Sequence, residues 1–540
     1  MKLVEKFLNK GLLVSSCFIK KFGDSDFDGF IKILNEKIKE KEKILILNED
    51  IFYLINSGDK KISVNWFEFE KSKVFSERNQ ENNSYNNFLD VMDYNLSDKK
   101  KEILNEIYNK EPRFIGGEKE SNPVFVVKDY KEDIKKRDVQ DFVSYFRVRY
   151  EALKKILINR KELSEAISIG RVFNKNTRDK IAIIGIVNEK HVTKKGNIIL
   201  DLEDLTSKIK VILKDTDKEL FNLAQDIVLD EVIGVTGFNN KNVIFADNII
   251  LPDVPLGNEF KKLNKEEYAI FTSDLHYGSK YFLEKNFLKF IKWLNGENGD
   301  KKQREIALKV KYLFIVGDVV EGVGIYPGQF EDLEISDIYQ QFEKLADLLS
   351  LIRKDISIII CGGNHDALRL AEPQPILNKE IARGLYEMEN VLIVTNPSIV
   401  NIASSVNFPG FNVLMYHGFS FPYLADNVES IRLAGRLERS DLIMKFLLQR
   451  RHLAPTHTSI QYIPNPKEDP LVIDIIPDFF ISGHIHRVSV LNYRNVTLLG
   501  CGCWGRETAE QKKRGLVPDP AKIIIVNLQK RDIKILNFGE

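Results

Sequence analysis

"SIIICGGNHD" (residues 357–366) joins a run of isoleucines to two glycines and then to three side chains that can bind a metal or an oxyanion. A short apolar run that ends at glycine predicts a buried β-strand followed by a tight turn. The pattern recurs, with amphipathic helices between the runs, in "YAIFTSDLH" (268–276), "YLFIVGDVV" (312–320), "VLMYHG" (413–418) and "PDFFISGHIH" (477–486). This alternation predicts an α/β domain over residues 257–540.

Five of the eight histidines follow such apolar runs directly, each near a glycine or a carboxylate: His276, His365, His417, His484 and His486. In an α/β sheet the loops beyond the carboxyl ends of the strands converge on one crevice, so residues far apart in sequence can meet there. Asp274, Asp318 and Asn364 add oxygen ligands at the same kind of position. A mixed oxygen and nitrogen set without thiolate suits Mn²⁺, Fe²⁺ or Zn²⁺.

The composition is that of an ordinary soluble chain, with 43% hydrophobic and 29% charged residues in 540. Lys and Arg (79) nearly balance Asp and Glu (78), so a nucleic-acid partner would have to meet a local basic face. The four cysteines form no CxxC pair and no apolar run reaches membrane-spanning length. We therefore expect a cytoplasmic protein without a membrane segment.

The remaining chain divides by composition and period. A small helical domain is expected over residues 1–74, a polar flexible linker over 75–140 and a helical connector over 141–165. Residues 166–256 contain three β-rich runs, a helix and two further strands, the order of an OB-fold barrel. Phe238 and Phe245 are the rings in the last two strands, which leaves both a single-strand-binding role and a scaffold role open.

Five motifs in order resemble the calcineurin-like metallophosphoesterase superfamily: DxH (274–276), GDxxE (317–321), GNHD (363–366), HG (417–418) and GHxH (483–486). The resemblance implies a calcineurin-like α/β sandwich that binds two divalent ions. It implies these ligands: Asp274, His276 and His486 for one ion, Asn364, His417 and His484 for the other, and Asp318 as the bridge. Mn²⁺ is the expected ion, with Mg²⁺, Fe²⁺ or Zn²⁺ as alternatives.

The same resemblance assigns His365 as the group that protonates the leaving oxygen or stabilises its developing charge. Glu321 matches the position that orients this histidine in many relatives, and Asp366, its neighbour in the GNHD loop, is an equal candidate for that task. The residues alone do not decide between the two carboxylates.

Longer segments resemble a narrower family, the small subunits of archaeal family D DNA polymerases. They include "DFVSYFRVRYEALKKIL" (141–157), "GDVVEGVGIYPGQ" (317–329) and "CWGRETAEQKKRGLVPDPAKIIIVNL" (503–528). That resemblance implies a 3′ to 5′ exonuclease that proofreads single-stranded or mismatched 3′ DNA ends and forms a heterodimer with a large polymerase subunit. The alternatives are a non-catalytic scaffolding subunit and a different DNA-repair phosphoesterase. Because every ligand position is filled, we expect an active nuclease.

The Gly/Pro-rich segment "GVGIYPGQF" (322–330) lies between the GDxxE motif and the next predicted helix. Its composition is typical of a turn. Its place directly after the motif also suits a loop that shapes the path of a substrate. The sequence supports both interpretations equally.

Overall fold

The structure is a computed structural model. It describes residues 6–7, 13–14, 22, 27–37, 46–47, 114–115, 124–131, 135–175, 178–240, 243–508, 511–512 and 516–539. The chain divides into two compact units, Met1–Glu111 and Pro112–Glu540. Among the described residues, no helix has the length and apolar character needed to cross a membrane.

The first unit contains a helix, Phe27–Lys37, and a parallel pair of short strands, β1 (Leu13–Val14) and β2 (Ile46–Leu47). Buried rings pack edge to face beside the helix: the centroids of Phe7 and Phe22 are 5.2 Å apart. Much of the predicted helical domain (1–74), and the predicted linker up to residue 113, lie outside the described residues. That part of the domain division stays a prediction.

Within the predicted linker (75–140), β3 (Phe114–Ile115) and β4 (Val124–Lys128) form strands of the second unit. β4 pairs antiparallel with Ser398–Ile402, and the side chain of Val124 is fully buried. The expectation of a flexible linker is therefore wrong for these residues. The physical reason is local: "VFVVK" is a β-branched and aromatic run, which favours a half-buried strand despite the polar sequence around it.

A connector helix, Val139–Leu157, follows β4. It begins at Asp138, whose side chain accepts from the Asp141 main-chain N–H while Asp141 reciprocates, a capping box that satisfies two free donors of the first turn. Its buried residues Tyr150, Leu153 and Leu157 pack with residues of the barrel described below and with Val472 of the C-terminal α/β region. The helix thus joins the two parts by apolar contact, and a short 3₁₀ turn, Lys161–Leu163, ends the connection.

A buried polar network ties the same helix to the C-terminal region. Arg149 Nε lies 2.7 Å from Asp469 Oδ2, and Tyr145 Oη donates to Asp469 Oδ1 at 2.8 Å. His452 Nε2 lies 2.8 Å from the same Oδ2 atom, and Arg149 Nη1 donates to the Pro455 carbonyl at 3.0 Å. Burial alone would raise the pKa of Asp469, but Arg149 and His452 hold that pKa well below its usual value.

We expect Arg149→Met to lower the free energy of unfolding of the protein by about 3–5 kcal/mol, because it leaves the Asp469 carboxylate buried without its counter-charge. Chemical denaturation followed by circular dichroism measures this difference. Arg147→Met is the matched control, since Arg147 is exposed on the same helix. Equal stability of the two variants would contradict the assignment of the network as a structural tie.

Residues 180–250 form a closed barrel of five strands: β5 (Lys180–Val192), β6 (Ile198–Glu203), β7 (Lys208–Leu213), β8 (Val232–Asn240) and β9 (Val243–Ile250). The order around the barrel is β5-β6-β7-β9-β8. A short helix, Ile169–Val172, precedes it, and the helix Lys218–Gln225 lies between β7 and β8. Alternate residues of β6 and β7, such as Leu200 and Val211, are fully buried inside, as the period of a strand requires.

The C-terminal region is a sandwich of two sheets. Its strands are β10 (Tyr268–Thr272), β11 (Val310–Val316), β12 (Ser357–Cys361), β13 (Val391–Val394), β14 (Ser398–Ile402), β15 (Phe411–Met415), β16 (Phe479–Ser482), β17 (Ser489–Tyr493), β18 (Val496–Gly500), β19 (Lys522–Asn527) and β20 (Ile533–Asn537). The first sheet has the order β13-β12-β11-β10-β19-β20, and the second β17-β18-β16-β15-β14-β4-β3. Buried residues from both sheets, Phe271, Phe314 and Phe479 among them, pack into one core between the sheets.

Helices cover the outer faces. The residue ranges are Glu284–Leu294, Lys301–Leu308, Ile338–Ser350 and Arg383–Tyr386 on the first sheet, and Phe421–Asn427, Glu429–Ala434 and Ser440–Arg450 on the second. Short 3₁₀ turns span Gln329–Asp332, Arg436–Arg439 and His457–Ser459. β10, β11 and β12 run parallel, as do β15 and β16. Their carboxyl ends therefore open on the same edge of the sandwich.

Candidate metal centre

The predicted ligands lie at this edge, within a few residues of the strand ends. They are Asp274 and His276 after β10, Asp318 after β11, Asn364 after β12, His417 after β15, and His484 and His486 after β16. β15 and β16 belong to the second sheet and the other strands to the first, so the ligands face one another across the top of the sandwich. The sheet topology brings together residues that are scattered in the sequence.

One group of donors consists of Asp274, His276 and His486. Asp274 Oδ1 lies 3.2 Å from His486 Nε2, and the Nε2 atoms of the two histidines are 3.2 Å apart. A ligand atom from each of the three residues lies within 4.8 Å of the others. Such convergence of a carboxylate and two imidazoles is the arrangement that a transition-metal ion requires.

A second group consists of Asp318, Asn364, His417 and His484. His417 Nε2 lies 3.2 Å from Asp318 Oδ2 and 3.1 Å from Asn364 Oδ1. Asp318, His417 and His484 again bring their ligand atoms within 4.8 Å. Asp318 Oδ2 is also 3.9 Å from His276 Nε2 in the first group, so this carboxylate lies between the two sets of donors.

The tautomer of His417 fits metal binding. Its Nδ1 atom lies 2.9 Å from the Val316 carbonyl oxygen and must donate to it, so Nε2 is the atom that faces Asp318 and would bind a metal once it loses its proton. Although burial lowers the pKa of His417, the carboxylate of Asp318 raises that pKa to about 10. Burial raises the pKa of Asp318, but the neighbouring histidines, with His417 first, hold it well below its usual value. The Asp318 carboxylate thus favours positive charge beside it, as a ligand of a cation does.

The backbone is strained at these positions. Five of the seven predicted ligands have positive φ angles: Asp274 (52°), His276 (49°), Asp318 (49°), His484 (67°) and His486 (59°). For residues other than glycine this region costs about 1–3 kcal/mol each and persists where the surrounding structure enforces it. Concentration of the strain on the donor residues points to a binding function that maintains it.

Three glycines let the donors pack directly against main chain. A Cβ atom on Gly363 would lie 2.3 Å from Asp318 Oδ1, one on Gly317 would lie 2.3 Å from His417 Nδ1, and one on Gly483 would lie 2.6 Å from Asp274 Oδ2. Atoms other than hydrogen do not approach so closely without a bond or displacement. The glycines of the GD, GGNHD and GHxH segments are therefore part of the cradle that holds the donors.

We expect Gly363→Ala to weaken Mn²⁺ binding by about 10- to 100-fold, the range seen when a group that supports a ligand is lost. The added methyl group displaces the Asp318 carboxylate, whereas the backbone angle at residue 363 suits alanine. Isothermal titration calorimetry with Mn²⁺ measures the change. Gly257→Ala is the control, because a Cβ atom there meets no atom within 4 Å. Unchanged affinity in Gly363→Ala would show that the close packing has no role in the site.

His365 is oriented by an atom that the sequence did not indicate. Its Nδ1 donates to the main-chain carbonyl of Glu321 at 2.8 Å, and its own main-chain N–H donates to Asp318 Oδ1 at 2.8 Å. The carboxylate of Glu321 lies 3.9 Å from His365 Nδ1 but 3.0 Å from His276 Nδ1, so it contacts the predicted ligand His276 instead. The expectation that a carboxylate orients His365 is wrong in this structure.

Asp366 bonds to main-chain groups and not to the ring of His365. Its two oxygens accept from the main-chain N–H groups of Val320, at 3.0 Å, and Gly363, at 2.8 Å. Burial, reinforced by the charge of Asp318, raises the pKa of Asp366 to about 7. The sequence placed Asp366 beside His365, but backbone geometry turns the two side chains to different partners.

A buried amide network supports the second group and carries no sequence motif. Asn396 Oδ1 accepts from the His417 main-chain N–H at 2.9 Å, and Asn396 Nδ2 donates to Gln374 Oε1 at 2.8 Å. Gln374 Nε2 in turn donates to the Gly363 carbonyl at 3.2 Å. This chain of bonds links the HG and GNHD segments, and a sequence pattern cannot reveal it because amides are common in loops.

Comparisons with known proteins agree with this geometry. A family model described as "Calcineurin-like phosphoesterase" matches residues 269–488, the span that holds every predicted ligand. The chain is 39% identical over 402 residues to the "DNA polymerase II small subunit" of Methanothermobacter thermautotrophicus, covering 74% of this chain and 80% of that relative. It is 40% identical to the Pyrococcus abyssi protein of the same description, of which the match covers 63%, and 39% identical to that of Archaeoglobus fulgidus, of which it covers 78%.

Proposed function

Because the chain belongs to the family of archaeal DNA polymerase II small subunits, as its motifs predicted, we propose that it is a metal-dependent 3′ to 5′ DNA exonuclease. It proofreads for a separate large polymerase subunit, with which it forms a heterodimer, and acts on single-stranded or mismatched 3′ ends. The observation that carries this proposal is the complete set of donors, held together on strained backbone at one edge of the sandwich.

The donor set fits two divalent ions. Asp274, His276 and His486 would hold one, and the second group would hold the other, with Asp318 shared between them. Two bound cations would polarise the phosphodiester and the attacking water and stabilise both oxygens of an in-line displacement. Mn²⁺ remains the expected ion, and Mg²⁺, Fe²⁺ and Zn²⁺ remain alternatives, because oxygen and imidazole ligands suit several of these ions.

His365 is proposed as the general acid. Since its Nδ1 donates to the Glu321 carbonyl, Nε2 is the atom that can carry the transferable proton. Burial lowers the pKa of His365, and the negative charge of a bound phosphodiester would raise it again toward the protonated form. The proton would pass to the 3′ oxygen of the nucleotide that remains on the strand, which makes that oxygen a better leaving group.

We also propose that the closed barrel is an OB fold. The support is its strand order, β5-β6-β7-β9-β8, with the helix Lys218–Gln225 between its third and fourth strands. The barrel contacts the catalytic region through the connector helix and through Arg450, whose Nε lies 3.0 Å from Glu231 Oε1 with both side chains buried. These contacts would hold the barrel in a fixed position beside the nuclease domain.

The proofreading role is tested with the assembled heterodimer. It should release nucleotides faster from a primer with a mismatched 3′ end than from the matched primer on the same template, because the mismatched end frays more readily. The rate ratio is measured on the two primers with Mn²⁺ as the metal. Equal release rates on the two primers would contradict the proofreading role. Failure of the heterodimer to form would favour a different DNA-repair phosphoesterase.

A further inference from the structure

A loop beside the metal centre exposes apolar side chains. Residues 322–332, which we call the aromatic loop, follow Glu321 and present Val323, Tyr326 and Phe330, whose exposed fractions are 44%, 37% and 74%. Single exposed apolar residues are ordinary on a protein surface, but three on one loop next to a reaction site suggest a contact with substrate.

Hydrogen bonds hold the aromatic loop in place at both of its ends. Gln329 is buried, and its Nε2 donates to the Glu321 carbonyl at 3.0 Å and lies 3.2 Å from Glu321 Oε1, while its Oε1 accepts from the Ile325 main-chain N–H at 2.8 Å. At the far end, Lys280 Nζ donates to the Glu331 carbonyl at 2.7 Å. The ring of Phe330 is therefore displayed on backbone that is fixed at both ends, which limits the entropy lost when a ligand binds.

The same loop contacts the residues that surround the proposed reaction. The ring centroid of Tyr326 lies 6.3 Å from that of His365, and Tyr326 Oη lies 3.2 Å from Glu321 Oε1. The other carboxylate oxygen of Glu321 lies 3.0 Å from Nδ1 of the ligand His276. A ligand seated on the loop would thus lie directly beside the metal centre.

Charge identifies which part of a nucleic acid the loop would take. Residues 322–332 contain Glu331 and Asp332 and no lysine or arginine, and Lys280 contacts the loop at its far end, so the surface around Tyr326 is unfavourable for phosphate. An uncharged aromatic surface suits a nucleobase, which stacks on side-chain rings through its face. A paired base inside a duplex offers no free face, whereas an unpaired terminal base does.

We propose that Phe330, flanked by Tyr326, is a stacking platform for the unpaired 3′-terminal base of the DNA substrate. This inference rests on the proposed nuclease function and adds the element that selects single-stranded ends. The aromatic loop, whose Tyr326 ring lies next to His365, would hold the last nucleotide while its phosphodiester lies at the reaction centre. A duplex end would have to fray before it could bind, so the platform would discriminate against matched ends.

The test uses the full chain and a single-stranded oligonucleotide that carries 2-aminopurine at its 3′ end and phosphorothioate linkages that resist cleavage. Stacking quenches the fluorescence of 2-aminopurine, so titration reports both the stacking and the affinity. With Mg²⁺ as the divalent ion, wild type should quench the probe. Phe330→Ala should abolish most of the quenching and raise the Kd by about 5- to 150-fold, the range for loss of one stacked base.

Phe330→Leu and Phe173→Ala are the matched variants. Phe330→Leu keeps an apolar side chain without a ring and should behave like Phe330→Ala, whereas Phe173 is an exposed ring near the barrel and its loss should change nothing. Quenching that is absent in wild type, or equal in wild type and Phe330→Ala, would contradict the proposal that Phe330 stacks on the terminal base. Quenching that depends on Phe330, without cleavage of an unmodified strand by the chain alone or in its heterodimer, would instead contradict the nuclease function and leave the stacking role of Phe330 supported.

Discussion

Replacing Asp318 with asparagine is expected to weaken Mn²⁺ binding by at least about 100-fold and to slow DNA hydrolysis by at least about 10³-fold. Asp318 is the carboxylate that lies between the two groups of donors, 3.2 Å from His417 Nε2 and 3.9 Å from His276 Nε2. Asparagine has nearly the same shape but no charge, so it removes the bridging anion while it preserves the packing against Gly363. Metal titration and initial rates on labelled DNA measure the two effects.

Asp355→Asn is the matched control for this substitution. Asp355 is exposed and pairs with Lys311 at the surface, an interaction that contributes little to stability. It should bind Mn²⁺ and cleave DNA as the wild type does. If Asp318→Asn also kept both properties, Asp318 would not be a ligand, and the two-ion interpretation would have to be abandoned.

His365→Ala is expected to lower kcat on DNA by about 10²- to 10⁴-fold while metal affinity and KM change little. The reason is that His365 Nε2 is proposed to donate a proton to the leaving oxygen, a step that occurs in the transition state and not on binding. The distinguishing measurement uses thymidine 5′-phosphate esterified with p-nitrophenol, whose leaving group departs without a proton. On this substrate the fold decrease in kcat caused by His365→Ala should be less than one tenth of the fold decrease seen on DNA.

His457→Ala is the control for the histidine variant, because His457 is half exposed and pairs with Asp230, which is not one of the predicted ligands. If His365 only supported the fold of the loop, its loss would slow hydrolysis of the two substrates to the same degree. Such equal losses would contradict the role of His365 as an acid and would leave it a positioning residue.

The location of the candidate site could be predicted from the sequence because the physical signal is simple. Apolar runs that end at Gly and then at Asp, Asn or His mark the carboxyl ends of buried strands, and parallel strands bring those ends to one edge. Asp274, Asp318 and His417 come together by this rule although they lie on strands of two different sheets. The closed barrel followed from the count and order of its strands in the same way.

Other features depend on which atom of a residue is used, and composition does not reveal this. Glu321 orients His365 through its main-chain carbonyl, and its carboxylate contacts His276 instead. Asp366 is next to His365 in the sequence, but its carboxylate accepts a hydrogen bond from the main-chain N–H of Gly363 in its own loop. β4 was missed for a different reason, since a short apolar run within a long polar segment pairs with a strand that lies about 270 residues further along the chain.

The nuclease function is tested by digestion of single-stranded DNA with the purified full chain and Mn²⁺, beside Asp318→Asn. One preparation carries a label at the 5′ end and another carries it at the 3′ end. We expect a ladder of shortened products from the 5′-labelled strand, early release of a labelled mononucleotide from the 3′-labelled strand, and neither product with Asp318→Asn. DNA that stays intact with the wild-type protein, both alone and bound to its large subunit, would contradict the proposed exonuclease activity and favour a scaffolding role.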